Sequence, residues 1–488
     1  MIVGSILLAF GIDSWWTNRQ ERQLDVALLA QLESELARAE EQLTAEIKQT
    51  EGEILRRGHS SMSDPISGTR RMPRFMRPGC GLLWLLLLGP VWLSCDSGTD
   101  PGRGAGTDPS REAKIDFDFP GASLAYAQSL GGDTFRIGLK DDTKATTKLW
   151  FSFRVQEAQG RTLTFRLDNA ATATNRWEYR QPVVSTDQGQ SWTRITDTAF
   201  DGTTFSFTFT ARSNADWVAR SPAYPFARYL ALVQELETHP EVAAVTEVGR
   251  TLGGQPLHHL EIRSQPGGTL PAVWAVGRQH PGEPGGSYMI EGFLRWAASG
   301  DPAAVALRER AEIHTIPFLN PDGVLAGNQR MNLAGLDLNR QWVNPTLSES
   351  PAIFWARKAI TDYRDGGGET RILVDFHSAP TDRSNFFFYN EELGTTTALH
   401  TEIRALLADI QSLNGDFVPL DDNVARPVQG ERVRGWGFTA LQTHGLTVES
   451  SGNDVTYGPH SGEQMTPERL LLLGEAVGRG IQRQLFGG

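Results

Sequence analysis

The apolar run from Ala272 to Val276 has the length of one buried strand and stops at Gly277. The residues that follow, His280-Pro281-Gly282-Glu283-Pro284-Gly285-Gly286, read as a turn-rich loop before helical spacing begins near Ser287. A buried strand that feeds a loop and then a helix belongs to an α/β sheet, and such sheets place their chemistry at the strand-to-loop junction. Two later apolar runs end in the same way. Ile372-Leu373-Val374-Asp375-Phe376-His377-Ser378 closes on a histidine, and Leu446-Thr447-Val448-Glu449-Ser450 closes on a glutamate. An imidazole and a carboxylate that can turn toward one point suit Zn²⁺, and a hydrolytic zinc site needs a third ligand and a base besides. His280, Glu283 and His377 are therefore the candidate ligands, and Glu449 is the candidate base.

Composition limits what else the chain can be. Its 488 residues allow two or three domains with a sizeable core. Lys and Arg total 46 against 58 Asp and Glu, and the resulting formal charge of -12 argues against nucleic acid as a partner. It leaves room for an acidic substrate held in a local basic pocket. The two cysteines, Cys80 and Cys95, both lie near the N-terminus, so any zinc in the globular part must use histidine and carboxylate donors.

Taken in order, residues 1–69 hold a short apolar start and a charged amphipathic helix with Leu24, Leu28, Leu32 and Leu36 at helical spacing. It reads as a surface or coiled-coil helix, and its place in the mature protein is left open. In residues 70–95, Arg70, Arg71, Arg74 and Arg77 precede an apolar core from Leu82 to Leu88, and Ser94-Cys95 follows. That is the layout of a secretory signal with a lipoprotein-like cysteine. The expectation is an exported, periplasmic or membrane-tethered protein, held by a lipid or a signal anchor, or a cytoplasmic one if this segment is not used. Residues 96–112 form a Gly, Asp, Pro and Ser-rich linker. Residues 113–222 alternate β-rich runs with turns, among them Leu149 to Val155, Leu163 to Leu167 and Phe205 to Phe209, which predicts an antiparallel β-sandwich with its aromatics in the core. From residue 223 to 488 helices and strands alternate, opening with a helix over Phe226 to Glu237, which predicts an α/β/α sandwich with a mixed central sheet.

Between the first and second strand ends stand Asn320-Pro321-Asp322-Gly323-Val324, Gly327-Asn328-Gln329-Arg330 and Gly335-Leu336-Asp337-Leu338-Asn339-Arg340-Gln341-Trp342. With His-Pro-Gly-Glu before them and Asp-Phe-His-Ser after, these blocks stand in the order found in the zinc carboxypeptidases, and the chain resembles the cytosolic-carboxypeptidase-like branch of that family. The resemblance implies one Zn²⁺ per chain on His280, Glu283 and His377, with Glu449 as the catalytic glutamate. It implies that Arg330 polarises the scissile carbonyl, that Asn339 and Arg340 bind the terminal carboxylate, and that Asp337 orients the first zinc histidine. The segment Gly430 to Trp436 is similar to the one lining the pocket for the last side chain, where Arg432, and after it Arg434, would favour an acidic residue. The substrate-closing tyrosine of many zinc carboxypeptidases has no counterpart, since no Tyr stands between Tyr389 and Tyr457, and Trp436 is the candidate to take its place. The chain has ten histidines, and His258, His259, His314, His400 and His460 are read as structural.

The expectation is a zinc-dependent carboxypeptidase acting on a peptide or protein C-terminus. Its rivals are a deacylase of N-acyl amino acids, a hydrolase of cell-wall stem peptides, and a non-catalytic binding or scaffold protein with the same fold. Oligomeric state is not legible.

Overall fold

The computed structural model describes residues 112–173, 177–264, 270–379, 382–391 and 397–487. The amphipathic helix of residues 1–69, the signal-like segment with Cys95 and nearly all of the linker lie outside them. No helix among the described residues is long and apolar enough to cross a membrane.

The first part of the described chain is a sandwich of two five-stranded sheets. Its strands are β1 (Lys114–Asp116), β2 (Tyr126–Gly131), β3 (Thr134–Gly138), β4 (Ser152–Gln156), β5 (Thr162–Leu167), β6 (Val183–Ser185), β7 (Thr193–Arg194), β8 (Asp197–Phe200), β9 (Phe205–Thr210) and β10 (Ala215–Ala219). One sheet runs β1-β4-β10-β6-β7 and the other β2-β3-β5-β9-β8. Pairing is antiparallel except between β3 and β5, which run parallel. Period-two alternation puts Leu163, Phe165 and Leu167 inward while Thr162 and Arg166 face out. Phe151, Phe153, Phe165 and Phe207 meet between the sheets with ring centroids 5.1 to 6.5 Å apart. The aromatics are thus core packing, and truncating one such as Phe165 should cost about 3–5 kcal/mol.

The second part is a mixed eight-stranded sheet between two helical layers. In chain order it comprises α1 (Phe226–Glu237), β11 (Val242–Arg250), β12 (Pro256–Ile262), β13 (Ala272–Gly277), α2 (Pro284–Ala298), α3 (Pro302–Arg308), β14 (Glu312–Ile316), α4 (Pro321–Leu325), α5 (Pro351–Asp365), β15 (Thr370–Ala379), β16 (Phe386–Glu391), α6 (Thr397–Leu413), β17 (Val424–Pro427), α7 (Val433–Leu441), β18 (His444–Ser451) and α8 (Pro467–Leu485). The strand order is β11-β12-β14-β13-β15-β18-β16-β17. Strands β14, β13, β15 and β18 run parallel in the middle, and β12 and β16 flank them antiparallel. Residues of α1, α2, α6 and α8 share one apolar layer with the sheet, and α5 and α7 share the other. Both faces of the central strands are covered, which is why every residue of β13 is buried and its sequence is apolar without alternation.

The sequence places the start of α2 near Ser287, and the structure starts it at Pro284. Proline at the first helical position is pre-set for helix and gives up an N–H that would be unpaired there anyway. The helix begins on top of the strand ends, where a Cβ on Gly285 would stand 2.5 Å from Ser450 Oγ and one on Gly286 would stand 2.6 Å from Phe376 O. The Gly-Gly pair lets the helix start descend onto β15 and β18.

Candidate metal centre

Parallel pairing brings three strand ends to one edge. Gly277 pairs with Phe376, and His377 pairs with Glu449, so the loop after β13 and the tips of β15 and β18 lie side by side. Arg278 turns the chain out of β13 in the left-handed region at φ 52°, an unfavourable conformation for a residue with a Cβ. Its buried guanidinium donates from Nε and Nη2 to Pro281 O at 3.0 and 2.8 Å, and from Nη1 to Ser287 Oγ at 2.9 Å and Tyr224 O at 3.2 Å. One side chain thereby fixes the loop carrying His280 and Glu283.

His280, Glu283 and His377 are buried together, with one donor atom from each within 4.8 Å of the others. His280 Nδ1 lies 2.9 Å from Glu283 Oε1, and His377 Nδ1 lies 2.8 Å from Glu283 Oε2. The far nitrogens are also engaged: His280 Nε2 stands 3.0 Å from Asp337 Oδ1, and His377 Nε2 stands 2.6 Å from Asp375 Oδ2. A neutral imidazole has one N–H and cannot donate to carboxylates on both sides. A cation between the two Nδ1 atoms and Glu283 resolves this, because each Nε2–H then donates to an aspartate and each Nδ1 offers a lone pair. The donor set fits Zn²⁺ on this count and on its chemistry, two nitrogens and a carboxylate.

The charges point the same way. Burial opposes ionisation of His377, but Asp375 and Glu283 hold its imidazolium well above the usual histidine range. Burial likewise opposes ionisation of Glu283, and the two histidines overcome it and keep its carboxylate well below the usual range. Glu449 lies beside them by register, and its Oε2 is buried with no hydrogen-bond partner. Its carboxyl is pushed up to about 8, first by burial and then, against His377, by the negative charges of Glu283 and Asp375.

Arginines face this group from the other side. Arg330 grips Asp337 Oδ2 through Nε at 2.9 Å and Nη2 at 2.7 Å, and its Nη1 is 3.9 Å from Glu283 Oε1. The loop below it is held from the sandwich: Asp142, a buried carboxylate just after β3, accepts from the backbone N–H groups of Gln329 at 2.5 Å, Arg330 at 2.7 Å and Met331 at 2.9 Å. Arg340 is partly exposed, with Nη1 at 3.6 Å from Asp337 Oδ2. Asn339 Nδ2 lies 3.3 Å from His377 Nε2, and its Oδ1 accepts from Val433 N at 3.1 Å.

The structure therefore brings together His280, Glu283, His377, Glu449, Arg330, Asp337, Asn339 and Arg340. Arg432 lies at the rim, partly exposed, 3.8 Å from Glu431. Arg434 is buried with Nε and Nη2 unpartnered, its guanidinium 5.8 Å from the centre of the Phe388 ring. Burial first, and then repulsion from Arg432 and Arg426, push it down to about 10. Arg426 on β17 joins them. Trp436 corrects an expectation. It is 4% exposed and packs 5.3 Å from Trp342 in the apolar layer under the sheet, because α7 turns that face inward, so it cannot close over a substrate. Arg278, Gln279 and Asp142 were missed by sequence reading. Gln279 donates to Asp375 Oδ2 at 2.8 Å and accepts from Trp342 Nε1 at 2.9 Å, and its place inside the loop motif was the one available signal.

An α/β/α sheet with a His, Glu, His donor set at the tips of its parallel strands defines a class of mononuclear zinc-type hydrolase folds. Within that class, residues 229–403 match the family model "Zinc carboxypeptidase", and residues 115–220 match "Cytosolic carboxypeptidase N-terminal domain". An uncharacterized protein of Zymomonas mobilis is 30% identical over 50% of this chain and 63% of its own. Cytosolic carboxypeptidase 4 of Homo sapiens is 32% identical over 38% of this chain and 18% of its own. The chain thus spans less than two thirds of either relative. A metallo-carboxypeptidase crystal structure from Burkholderia cenocepacia superposes with a TM-score of 0.70 at 25% identity, covering 77% of this chain and 99% of that one.

Proposed function

We propose that the protein is a zinc-dependent carboxypeptidase that removes a C-terminal residue, with a preference for an acidic one. The observation that carries the reading is that the His280, Glu283 and His377 cluster has beside it Glu449, paired in register with His377 and with an unpartnered carboxyl oxygen, and Arg330, 3.9 Å from Glu283. A zinc ion on those three residues would acidify water and polarise a carbonyl. Glu449 takes the proton of the attacking water and returns it to the leaving amine. Arg330, held on Asp337 with Nη1 3.9 Å from Glu283 Oε1, would stabilise the charge that develops on the carbonyl oxygen. Asn339 and Arg340 receive the terminal carboxylate, Arg340 by the planar fork that suits it.

The acidic preference rests on Arg434, with Arg432 and Arg426 beside it. A buried guanidinium with unpartnered N–H groups carries a desolvation cost that a carboxylate partner removes. Location is part of the proposal: if residues 70–95 export the chain, peptides outside the cytoplasm are its substrates, which N-terminal sequencing of secreted protein would test. The test of activity is a panel of peptides ending in Glu, Lys and Phe offered to the zinc-loaded wild type and to Glu449→Gln. Trimming by the wild type alone, fastest for Glu, is expected. Zinc-loaded wild type that trims none of them would overturn the activity, and a preference for Phe would overturn the acidic pocket.

A further inference from the structure

A second cluster of histidines and carboxylates lies on the same sheet, away from the strand tips. His259 and Glu261 stand on β12 and His314 on β14, and the strands pair so that Glu261 faces His314 directly. His259 is two residues from Glu261, and Glu312 two residues from His314, so all four share one face of the sheet. Trp274 pairs with His314 from β13, and its indole stacks on both rings, with centroids 5.1 Å from His259 and 4.7 Å from His314. Tyr363 of α5 closes the other side, 4.7 Å from His314.

The rings are set for a common ligand. His259 Nε2 and His314 Nδ1 lie 3.0 Å apart, the separation roughly expected of two nitrogens bound to one ion at about 2.0–2.1 Å. One donor atom each of His259, Glu261 and His314 lies within 4.8 Å of the others. The opposite nitrogen of His314, Nε2, is 3.2 Å from Glu312 Oε2, the same arrangement by which Asp337 and Asp375 hold the far nitrogens at the first centre. Both imidazoles are buried, whereas the Glu261 side chain is 23% exposed and gives solvent a route to the site. Arg263 donates to Glu261 Oε2 at 3.3 Å, and Glu261 Oε1 lies 4.0 Å from the other ring nitrogen of His259, Nδ1.

We propose that His259, His314 and Glu261 form a second zinc-class metal site, which ties the β11–β12 hairpin to the parallel core of the sheet. Two imidazoles and one carboxylate suit Zn²⁺ and the neighbouring late divalent transition metals, and exclude a calcium-type site, which takes oxygen donors. A metal held between β12 and β14 exists only in the folded sheet, so its binding energy adds to the stability of the hairpin. The role is structural: the cluster sits beside Trp274, toward the start of β13, whereas the hydrolytic candidates gather beyond its end at Gly277.

Metal content separates the two centres and needs no substrate. Full-length protein stripped by chelator is dialysed against buffered free Zn²⁺, and bound zinc per chain is counted for the wild type, His259→Gln/His314→Gln, Glu261→Gln and His280→Gln/His377→Gln. The wild type is expected to hold two ions, and each double variant one. Zinc beyond the first equivalent should raise the melting temperature of the wild type, and Glu261→Gln should weaken that second step about tenfold or more. One ion in the zinc-saturated wild type, lost with His280 and His377, would overturn the site; so would two ions in His259→Gln/His314→Gln. If that double variant fails to fold, Glu261→Gln decides, and an unchanged second affinity there refutes the proposal.

Discussion

Asp142 offers the sharpest test of how the sandwich serves the metal centre. Its carboxylate takes three backbone N–H groups, those of Gln329, Arg330 and Met331, and thereby sets the loop that presents the Arg330 guanidinium. Hydrogen bonds to a charged acceptor are worth about 1.5–3 kcal/mol each, and three from one loop to one carboxylate are not additive. Asp142→Ala should therefore cost about 3–5 kcal/mol of stability, partly because it strands buried N–H groups. The catalytic effect is separable. An Arg330 shifted by about 1 Å should lower kcat/KM by roughly a hundredfold while zinc stays bound, since none of the three ligands lies in the loop. Asp142→Asn keeps a carbonyl acceptor and should fall between. The assay is kcat/KM on a Glu-terminated peptide below the melting transition, with zinc content measured in parallel, for Asp142→Ala, Arg330→Ala and the pair. If Asp142 acts through Arg330, the double variant is no worse than Arg330→Ala alone. Wild-type kcat/KM in folded Asp142→Ala, or fully additive losses in the pair, would refute the reasoning.

Three more outcomes can be measured. Without metal, folded Glu449 holds its proton up to about pH 8 against an ordinary value of 4.5, so its contribution to stability is fully present below pH 4.5 and is lost as pH rises through 8. Metal-free Glu449→Gln should thus match the wild type near pH 4 and melt a few degrees above it at pH 9, on the order of a few kcal/mol, while losing hydrolysis; equal melting at both pH values would contradict the burial of that carboxyl. Asp375→Asn and Asp337→Asn remove the acceptors that fix His377 and His280, and each should weaken zinc binding about 10- to 100-fold by competition with a chelating dye. Arg434→Gln should lower kcat/KM for a Glu-terminated peptide by roughly 10- to 100-fold, the worth of about 1.5–3 kcal/mol for one charged hydrogen bond, and leave a Phe-terminated peptide within a few-fold.

The strands that end in chemistry were legible because they carry two signals at once. Ala272 to Gly277 is apolar on both faces because helices cover both, and the turn residues after it break the pattern sharply. The helix at Phe226–Glu237 was legible from its amphipathic spacing, and the sandwich from the alternation in strands such as Thr162–Leu167. What stayed hidden depends on which way a side chain turns in three dimensions. Nothing in the sequence of α7 says that Trp436 faces the core while Arg434, two residues before it, is buried beside Phe388. Asp142 was invisible for another reason. Its partners are backbone groups 187 to 189 residues away, and backbone partners leave no trace in residue type. His259 and His314 were read as structural because neither ends a strand inside one of the motif blocks; only the pairing of β12 with β14 sets them together.

The charge balance of the centre explains why so many polar groups can be buried in one place. Glu283, Asp337 and Asp375 bring three carboxylates to two imidazoles, with Glu449 as a fourth, while Arg330 is hydrogen-bonded to Asp337 and Arg340 stands 3.6 Å from it. Without metal the surplus is met by protons: His377 holds its ring proton well above the usual range and Glu449 keeps its own to about pH 8. Together those protons carry the charge of one divalent cation, so a cation on the two Nδ1 atoms and Glu283 would favour their release with little change in net charge of the interior. Loss of the Glu449 proton on metal binding would leave its carboxylate free to accept one, which is the state its proposed role requires. The same anionic surplus that would destabilise an empty site thus sets both its affinity for a cation and the protonation state of its base.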